Sequence, residues 1–160
     1  MSSATEQHPV TGIDRERSNK VAVVTPREAM RYPIRFDHRV LYGDVDALGH
    51  LNNVAIGRLF EEGRSQANRR VFADHGDGQP RAVLASITIE YLAPGSYPGD
   101  VQVGTAIAWV GTSSIVHRQA LLQDGACLAV AEAVMVKVSS GRSAPLSNIE
   151  RAAAGELQQN

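Results

Sequence analysis

The stretch Leu41-Tyr42-Gly43-Asp44-Val45-Asp46-Ala47-Leu48-Gly49-His50-Leu51-Asn52-Asn53 joins an apolar, strand-like segment to a helical one. Two carboxylates, a histidine and two asparagines fall within ten of its residues. Such side chains are costly to bury without partners, so they are poorly explained as core filling. A carboxylate can act as base or nucleophile, and the N–H groups of a following helix can receive negative charge. The junction therefore predicts an active site between a strand and a helix.

Downstream of the junction, the apolar residues repeat with a helical period. A small or apolar residue recurs every four positions, at Ala55, Leu59, Gly63, Ala67 and Val71. This pattern predicts a long helix from Val54 to Phe72 with one apolar face. Either Asn52 or Asn53 is suited to cap its start, because asparagine accepts a hydrogen bond from the first turn.

Residues before and after this helix alternate with a period of two, which predicts five strands. The first runs from Ile34 to Asp44; the others are Ala82 to Leu92, Val101 to Trp109, Ile115 to Gln123, and Cys127 to Ser139. Their short connections imply antiparallel pairing. The predicted fold class is α+β, with a curved antiparallel five-stranded sheet wrapped around one long central helix. One face of the sheet still needs cover, which favours a homodimer or a larger assembly.

The composition of the whole chain narrows the classes of protein. The 160 residues suffice for one domain, predicted at 31–140, with a flexible N-terminal tail at 1–30 and a C-terminal tail at 141–160 that frays or forms a loose helix. The net charge of −1 gives no reason to expect a nucleic-acid partner or an anionic membrane surface. The lone cysteine, the absence of a long apolar run and the polar N-terminus predict a cytoplasmic location. No metal and no cofactor are predicted.

The order of the elements, together with the motif from Tyr42 to Asn53, resembles the hotdog-fold acyl-CoA thioesterases, in the branch of the 4-hydroxybenzoyl-CoA thioesterases. The sequence Phe-Glu-Glu-Gly-Arg at 60–64 and the sequence Gly-Thr-Ser-Ser-Ile at 111–115 are also similar to that family. The likeness covers roughly residues 34–139. It implies a homodimer or homotetramer with active sites between subunits, acting on an acyl-CoA or acyl-carrier-protein thioester.

The resemblance also implies roles for residues of the junction. Asp46 is the implied catalytic carboxylate, acting as base or nucleophile, and backbone N–H groups around Asn53 to Ala55 are the implied oxyanion site. We predict that His50 and Asn53 complete the catalytic set. Asp44 is predicted to structure the loop, whereas Tyr42 could line the acyl pocket or belong to the strand core. The predicted substrate-binding residues are Tyr42, Asn52, Val54, Ala55, Thr112, Ser113 and Ser114.

Several alternatives stay open on the sequence alone. Some hotdog thioesterases carry their carboxylate on the helix, but pairing with Arg64 accounts for Glu61 and Glu62 here. The segment Thr112 to Ser114 lacks the basic residues of some relatives, with Arg118 the nearest cation, which leaves a carrier-protein thioester open as substrate. Two other functions fit the fold: a hydratase or dehydratase acting on enoyl thioesters, and a non-catalytic acyl-CoA-binding protein.

Overall fold

The protein is described here by a computed structural model, which covers residues 31–73 and 82–158. The predicted tail at 1–30 lies outside the described residues. The elements in chain order are β1 (Ile34–Arg39), a 3-10 turn (Tyr42–Asp44), α1 (Asn53–Val71), β2 (Ala82–Tyr91), β3 (Asp100–Val110), β4 (Ser114–Gln123), β5 (Ala126–Ser139), β6 (Arg142–Ser143) and α2 (Asn148–Glu156).

The strands form one antiparallel sheet in the order β1-β3-β4-β5-β2, with β6 paired to the end of β5. The long helix α1 packs on this sheet. The predicted antiparallel sheet with one long helix is therefore confirmed, and the four later strands lie close to their predicted bounds. The two-residue strand β6 was not predicted.

The prediction for the first strand was too long. β1 ends at Arg39, which is paired with Asp100, the first residue of β3. Beyond it, the Val40 amide still donates to the Gly99 carbonyl at 2.9 Å, but Leu41 and Tyr42 have no partner on β3. Local hydrogen bonds then take over, because the Asp44 amide donates to the Leu41 carbonyl at 2.9 Å and the Leu41 amide donates to Asp44 Oδ2 at 2.9 Å. Tyr42 consequently leaves the strand and is 80% exposed, so the strand-core interpretation of Tyr42 is wrong.

The core lies between α1 and the inner face of the sheet. Phe60 is fully buried there, together with Leu59 of the same helix and Val103 and Leu121 of the sheet. Gly63 marks the closest approach, since a Cβ atom at this position would collide with the side chain of Thr105. This close packing holds the middle of α1 against the inner face of the sheet.

The C-terminal segment forms a packed helix. Ala154 and Leu157 are 0% and 4% exposed and join the hydrophobic core at the far end of α1. Ser147 caps α2 through a hydrogen bond from the Glu150 amide. The Glu150 carboxylate, 2% exposed, accepts a hydrogen bond from Lys137 Nζ at 2.7 Å. No helix of the described residues is long and apolar enough to cross a membrane.

Part of the outer face of the sheet is covered by the chain itself. Tyr32, just before β1, is 1% exposed and packs over Gly104, where a Cβ atom would collide with the Tyr32 ring. Ala120 and Val130 are fully buried in the same cluster. This part of the face is therefore covered from within the chain, and the expected homodimer stays a prediction.

Candidate active site

The Asp46 loop, residues 45–51, is closed by its own backbone. Val45 bridges Leu51, and the Asp46 amide donates to the His50 carbonyl at 2.8 Å. Gly49 has φ of +76°, a left-handed conformation that glycine adopts without steric cost. The loop thus turns back tightly and delivers the chain directly to the start of α1.

The Asp46 carboxylate is held by one oxygen and open at the other. Its Oδ1 accepts hydrogen bonds from the amides of Leu48 and His50, at 2.9 and 3.1 Å. Its Oδ2 accepts none from the described residues, and the residue is exposed. His50 therefore contacts Asp46 through its amide rather than its ring, and its side chain is also exposed. A carboxylate fixed in this way is oriented yet still able to act on a ligand.

The start of α1 presents unpaired amides. Asn52, rather than Asn53, is the cap, because its side chain accepts a hydrogen bond from the Val54 amide at 2.9 Å. The Asn52 amide donates in turn to the Asp44 carbonyl at 2.7 Å. The amides of Asn53 and Ala55 donate no hydrogen bond to any acceptor among the described residues. These two N–H groups and the positive end of the helix can stabilise an anion.

Asp44 is the buried anchor of the junction. Its carboxylate is 6% exposed, accepts hydrogen bonds from His38 Nε2 and the Leu41 amide at 2.9 Å each, and pairs with Arg58 Nη2 at 2.6 Å. Burial raises the pKa of Asp44, but these hydrogen bonds and the Arg58 charge outweigh it and bring the pKa below its usual value. These contacts agree with the loop-structuring role predicted for Asp44, since they tie β1, the 3-10 turn and α1 together.

An open cavity of about 450 Å³ lies beside the Asp46 carboxylate. It is lined by Tyr42, Val45, Asp46, Ala47, Gly49 and Tyr97. The rings of Tyr42 and Tyr97 meet edge to face with centroids 6.2 Å apart. Tyr97 was missed by the sequence analysis, because it belongs to the β2–β3 connection and reaches the loop only through the fold, where Ser96 bridges His50.

The β3–β4 turn, residues 111–114, does not approach Asp46 within one protomer. β3 begins beside the end of β1 and carries the chain away over 11 residues. At about 3.4 Å per residue that strand is roughly 35 Å long. Thr112, Ser113 and Ser114 therefore lie at the opposite end of the sheet from the Asp46 loop.

Arg64 forms no salt bridge with Glu61 or Glu62 in the described residues, although the Glu61 charge partly offsets the lowering of the Arg64 pKa by burial. Arg64 lies on the buried face of α1, is 6% exposed, and donates from Nη1 to Gln119 Oε1 at 2.9 Å. Glu62 pairs instead with Arg69, with 3.3 Å between Oε1 and Nη2. The helical period explains the difference, because Arg64 follows the buried Phe60 by four residues and so points towards the sheet.

A buried histidine lies close to this arginine. His117 on β4 is 0% exposed, and neither ring nitrogen has a hydrogen-bond partner among the described residues. Burial and the nearby Arg64 charge lower the pKa of His117 to about 4. The ring is therefore neutral at ordinary pH, and its contribution is to the core rather than to the Asp46 loop.

The fold and the acidic loop at the start of α1 together identify the class of protein to which the chain belongs. A family model described as the thioesterase-like superfamily matches residues 40–153, a range that holds the Asp46 loop, α1 and all the strands after it. The chain belongs to the thioesterase-like superfamily. No curated protein matches the chain.

Solved structures agree with this assignment and confirm the hotdog fold. A predicted thioesterase from Bacillus stearothermophilus is 25% identical, with a TM-score of 0.73 over 78% of this chain and 95% of that one. A thioesterase from Thermus thermophilus, complexed with coenzyme A and Zn, is 28% identical, with a TM-score of 0.69 over 77% and 98% of the chains. A 1,4-dihydroxy-2-naphthoyl-CoA thioesterase from Synechocystis, 17% identical with a TM-score of 0.65 over 77% and 96%, shows the shared fold alone.

Proposed function

We propose that the protein is an acyl-CoA thioesterase, which hydrolyses a thioester to a free carboxylic acid and CoA. The observation that carries this proposal is the Asp46 carboxylate, oriented through one oxygen on a loop that ends at unpaired helix amides. Membership of the thioesterase-like superfamily supports the reaction class. The similar Thermus thermophilus thioesterase, whose structure contains coenzyme A, supports a CoA thioester as substrate.

In the proposed reaction, Asp46 acts at the thioester carbonyl carbon. It either takes a proton from the attacking water or attacks directly to form a mixed anhydride that water then hydrolyses. In both routes the carbonyl oxygen becomes negative, the C–S bond breaks, and the CoA thiolate leaves and takes up a proton. The amides of Asn53 and Ala55 receive the negative oxygen, and the loss of one such donor typically costs about 3 kcal/mol of barrier. Single-turnover hydrolysis in ¹⁸O-labelled water tests for direct attack, because label in Asp46 arises only from a mixed anhydride that water opens at the aspartyl carbonyl carbon.

A second copy of the chain completes the proposed site. β2 is an edge strand, and its apolar residues Val83, Leu84, Ile87 and Tyr91 are 36–52% exposed. An exposed apolar edge of this kind is suited to pairing with another strand. Antiparallel pairing of two β2 strands inverts the second copy, so that its β3–β4 turn lies at the Asp46 end of the first copy. The homodimer thereby unites the two groups of predicted site residues that one protomer keeps apart.

Replacement of Asp46 by asparagine tests the proposal directly. Asparagine keeps an Oδ1 acceptor for the Leu48 and His50 amides, so the loop and the melting temperature should be preserved. The carboxylate chemistry is lost, and kcat should fall by about 10²-fold or more. Thiol release from a panel of acyl-CoAs, followed with a thiol reagent, measures the effect.

The matched control is Asp124→Asn, an exposed aspartate in the β4–β5 turn with φ of +48°, which asparagine tolerates. Its activity should equal that of the wild type. No thiol release by the wild type, or undiminished release by Asp46→Asn, would contradict the proposal. Following the absorbance of enoyl-CoA substrates in the same preparations tests the hydratase alternative, and tight CoA binding without turnover would identify a binding protein.

A further inference from the structure

The cavity beside Asp46 has a neighbour of similar size. This second cavity has a volume of about 450 Å³ and lies between the end of β1 and the β2–β3 connection. Tyr42 and Tyr97 line both cavities, so the two side chains separate one space from the other. We call this pair of rings the tyrosine wall. The other residues that line the second cavity are Arg39, Val40, Leu41, Pro98, Gly99 and Asp100.

The backbone that carries Tyr97 is held on both sides. Before it, the Ser96 amide donates to Gln123 Oε1 at 2.8 Å, and the Ser96 carbonyl accepts from Gln123 Nε2 at 2.9 Å. After it, the Gly99 carbonyl accepts from the Val40 amide at 2.9 Å. The position of Tyr97 beside the Asp46 loop is therefore fixed by the fold.

The rings of the tyrosine wall are exposed although they contact each other. Their edge-to-face contact, with an angle of 77° between the ring planes, is a favourable aromatic geometry. Both side chains nevertheless remain exposed, as does Leu41 on the side of the second cavity. Neither phenol hydroxyl group makes a hydrogen bond within residues 31–73 and 82–158. Adjacent apolar side chains that are left exposed in this way often mark a surface that binds a ligand.

The lining of the cavity beside Asp46 suits a hydrocarbon chain. Apart from the Asp46 carboxylate, its side chains are aliphatic or aromatic, and Gly49 adds no side chain. A thioester whose carbonyl lies at Asp46 places either its acyl chain or its pantetheine arm along this lining. The amide groups of the pantetheine arm require hydrogen-bond partners when they are buried, whereas an acyl chain requires none. The acyl chain is therefore the better occupant of this cavity.

We propose that the tyrosine wall closes the acyl site and sets the longest acyl chain that the enzyme accepts. The inference rests on the proposed function and deepens it, because it names the substrate class: acyl groups short enough to end at Tyr42 and Tyr97. A longer chain has to separate the two rings before it reaches the second cavity. Tyr42 and Tyr97 are specificity residues in this arrangement, since they act on the end of the chain and not on the thioester.

The test measures kcat/KM for a series of straight-chain acyl-CoAs of increasing length, each relative to acetyl-CoA. In the wild type this ratio should stop rising at the length at which the chain meets the wall. In Tyr97→Ala it should continue to rise, about fourfold for each further methylene group that enters the second cavity. Tyr97→Phe keeps the ring and should keep the wild-type limit. Asp124→Asn, in the distant β4–β5 turn, is the control that should reproduce the wild-type series.

A double variant tests whether the longer chains enter the second cavity. Leu41 lines that cavity and does not line the cavity beside Asp46. Leu41→Trp should therefore restore the wild-type length limit when it is combined with Tyr97→Ala, because the larger side chain fills the space that was opened. A length limit in the double variant equal to that of Tyr97→Ala would overturn the assignment of the second cavity.

A purely structural role for the rings predicts a different pattern. Loss of loop structure would lower kcat/KM by the same factor for every acyl length, and that result would overturn the inference. Tyr42→Ala removes the other half of the wall and must also lengthen the accepted chain; a wild-type limit in both alanine variants would likewise overturn it. If the wild type hydrolyses none of the acyl-CoAs, the proposed function fails, and calorimetric titration with the same series still decides the role of the wall. Tyr97→Ala must then bind the longer acyl-CoAs more tightly, relative to acetyl-CoA, than the wild type does.

Discussion

Replacing Asp44 with asparagine should loosen the junction that holds the proposed site. The carboxylate serves three donors, His38 Nε2, the Leu41 amide and Arg58 Nη2. Asparagine offers one oxygen and one NH₂ group, so at least one of these donors must face another donor. The negative charge that compensates Arg58 is lost as well. The substitution therefore changes both the hydrogen bonding and the charge of a side chain that is 6% exposed.

The size of the effect follows from these contacts. Hydrogen bonds to a charged group contribute about 1.5–3 kcal/mol each, but contributions within one network are not additive. The Arg58 side chain is 58% exposed, so solvent screens its share. We expect Asp44→Asn to lower the free energy of unfolding by about 3 kcal/mol, the equivalent of one to two such bonds. Because the Asp44 carbonyl also holds the Asn52 amide, kcat should fall as well, by less than in Asp46→Asn.

Urea denaturation monitored by circular dichroism measures the stability, and acyl-CoA hydrolysis measures kcat. The control is Asp37→Asn, on the exposed side of β1, whose only side-chain contact in the described residues is with Gln102 Nε2 at 3.1 Å. The low pKa of folded Asp44 also makes the free energy of unfolding depend on pH. The contribution of Asp44 to this free energy is complete above the ordinary aspartate pKa of 3.8 and is lost as pH falls through the lower pKa of the folded state. A loss below 0.5 kcal/mol, similar to that expected at exposed sites, would refute the anchoring role.

Two further predictions concern the core behind the site. Because the pKa of His117 is about 4 in the fold and 6.5 in the unfolded chain, stability should fall by about 3 kcal/mol as pH is lowered from 6.5 to 4. His117→Leu should remove most of this fall in urea titrations at the two pH values, and an unaltered pH dependence would rule the histidine out as its source. Gly63→Ala should cost about 1–3 kcal/mol, since the new methyl group collides with Thr105. Gly57→Ala, where a methyl group meets open space, is the control, and equal stability of the two variants would exclude this collision.

The helix and the later strands could be predicted because burial leaves a period in the sequence. The four-residue repeat of α1 follows from one buried face, and the alternation of buried and half-buried residues from Ser114 to Gln119 in β4 follows from the pleat of a strand. The end of β1 does not correspond to any change of period in the sequence. The residues up to Tyr42 continue the alternation, and only the starting point of β3 decides that pairing ends at Arg39. Strand length depends on a partner that the local sequence does not contain.

The parts of the candidate site differ in the same way: some can be recognised in the local sequence, and others depend on the tertiary structure. Asp46 and the cap Asn52 lie six residues apart on one loop, so their chemistry is visible as a motif. Tyr97 reaches its place only because the sheet brings distant segments together. The placement of Arg64 also needed tertiary information, because on the sequence a glutamate three residues away is as plausible a partner as Gln119 on β4.

The two halves of the proposed site should respond to mutation independently, because different contacts hold them. Asp44 fixes the Asp46 loop at one end of α1, whereas α2 fixes the β3–β4 turn at the other end of the sheet. The close packing of α1 on β3 and β4 lies between these ends and makes the protomer a rigid spacer. Changes near Asp44 should therefore act on kcat, and changes in α2 should act on KM for CoA. Only changes at the β2 edge should affect both kcat and KM for CoA. The pairing of this edge determines how the Asp46 loop of one protomer is aligned with the β3–β4 turn of its partner.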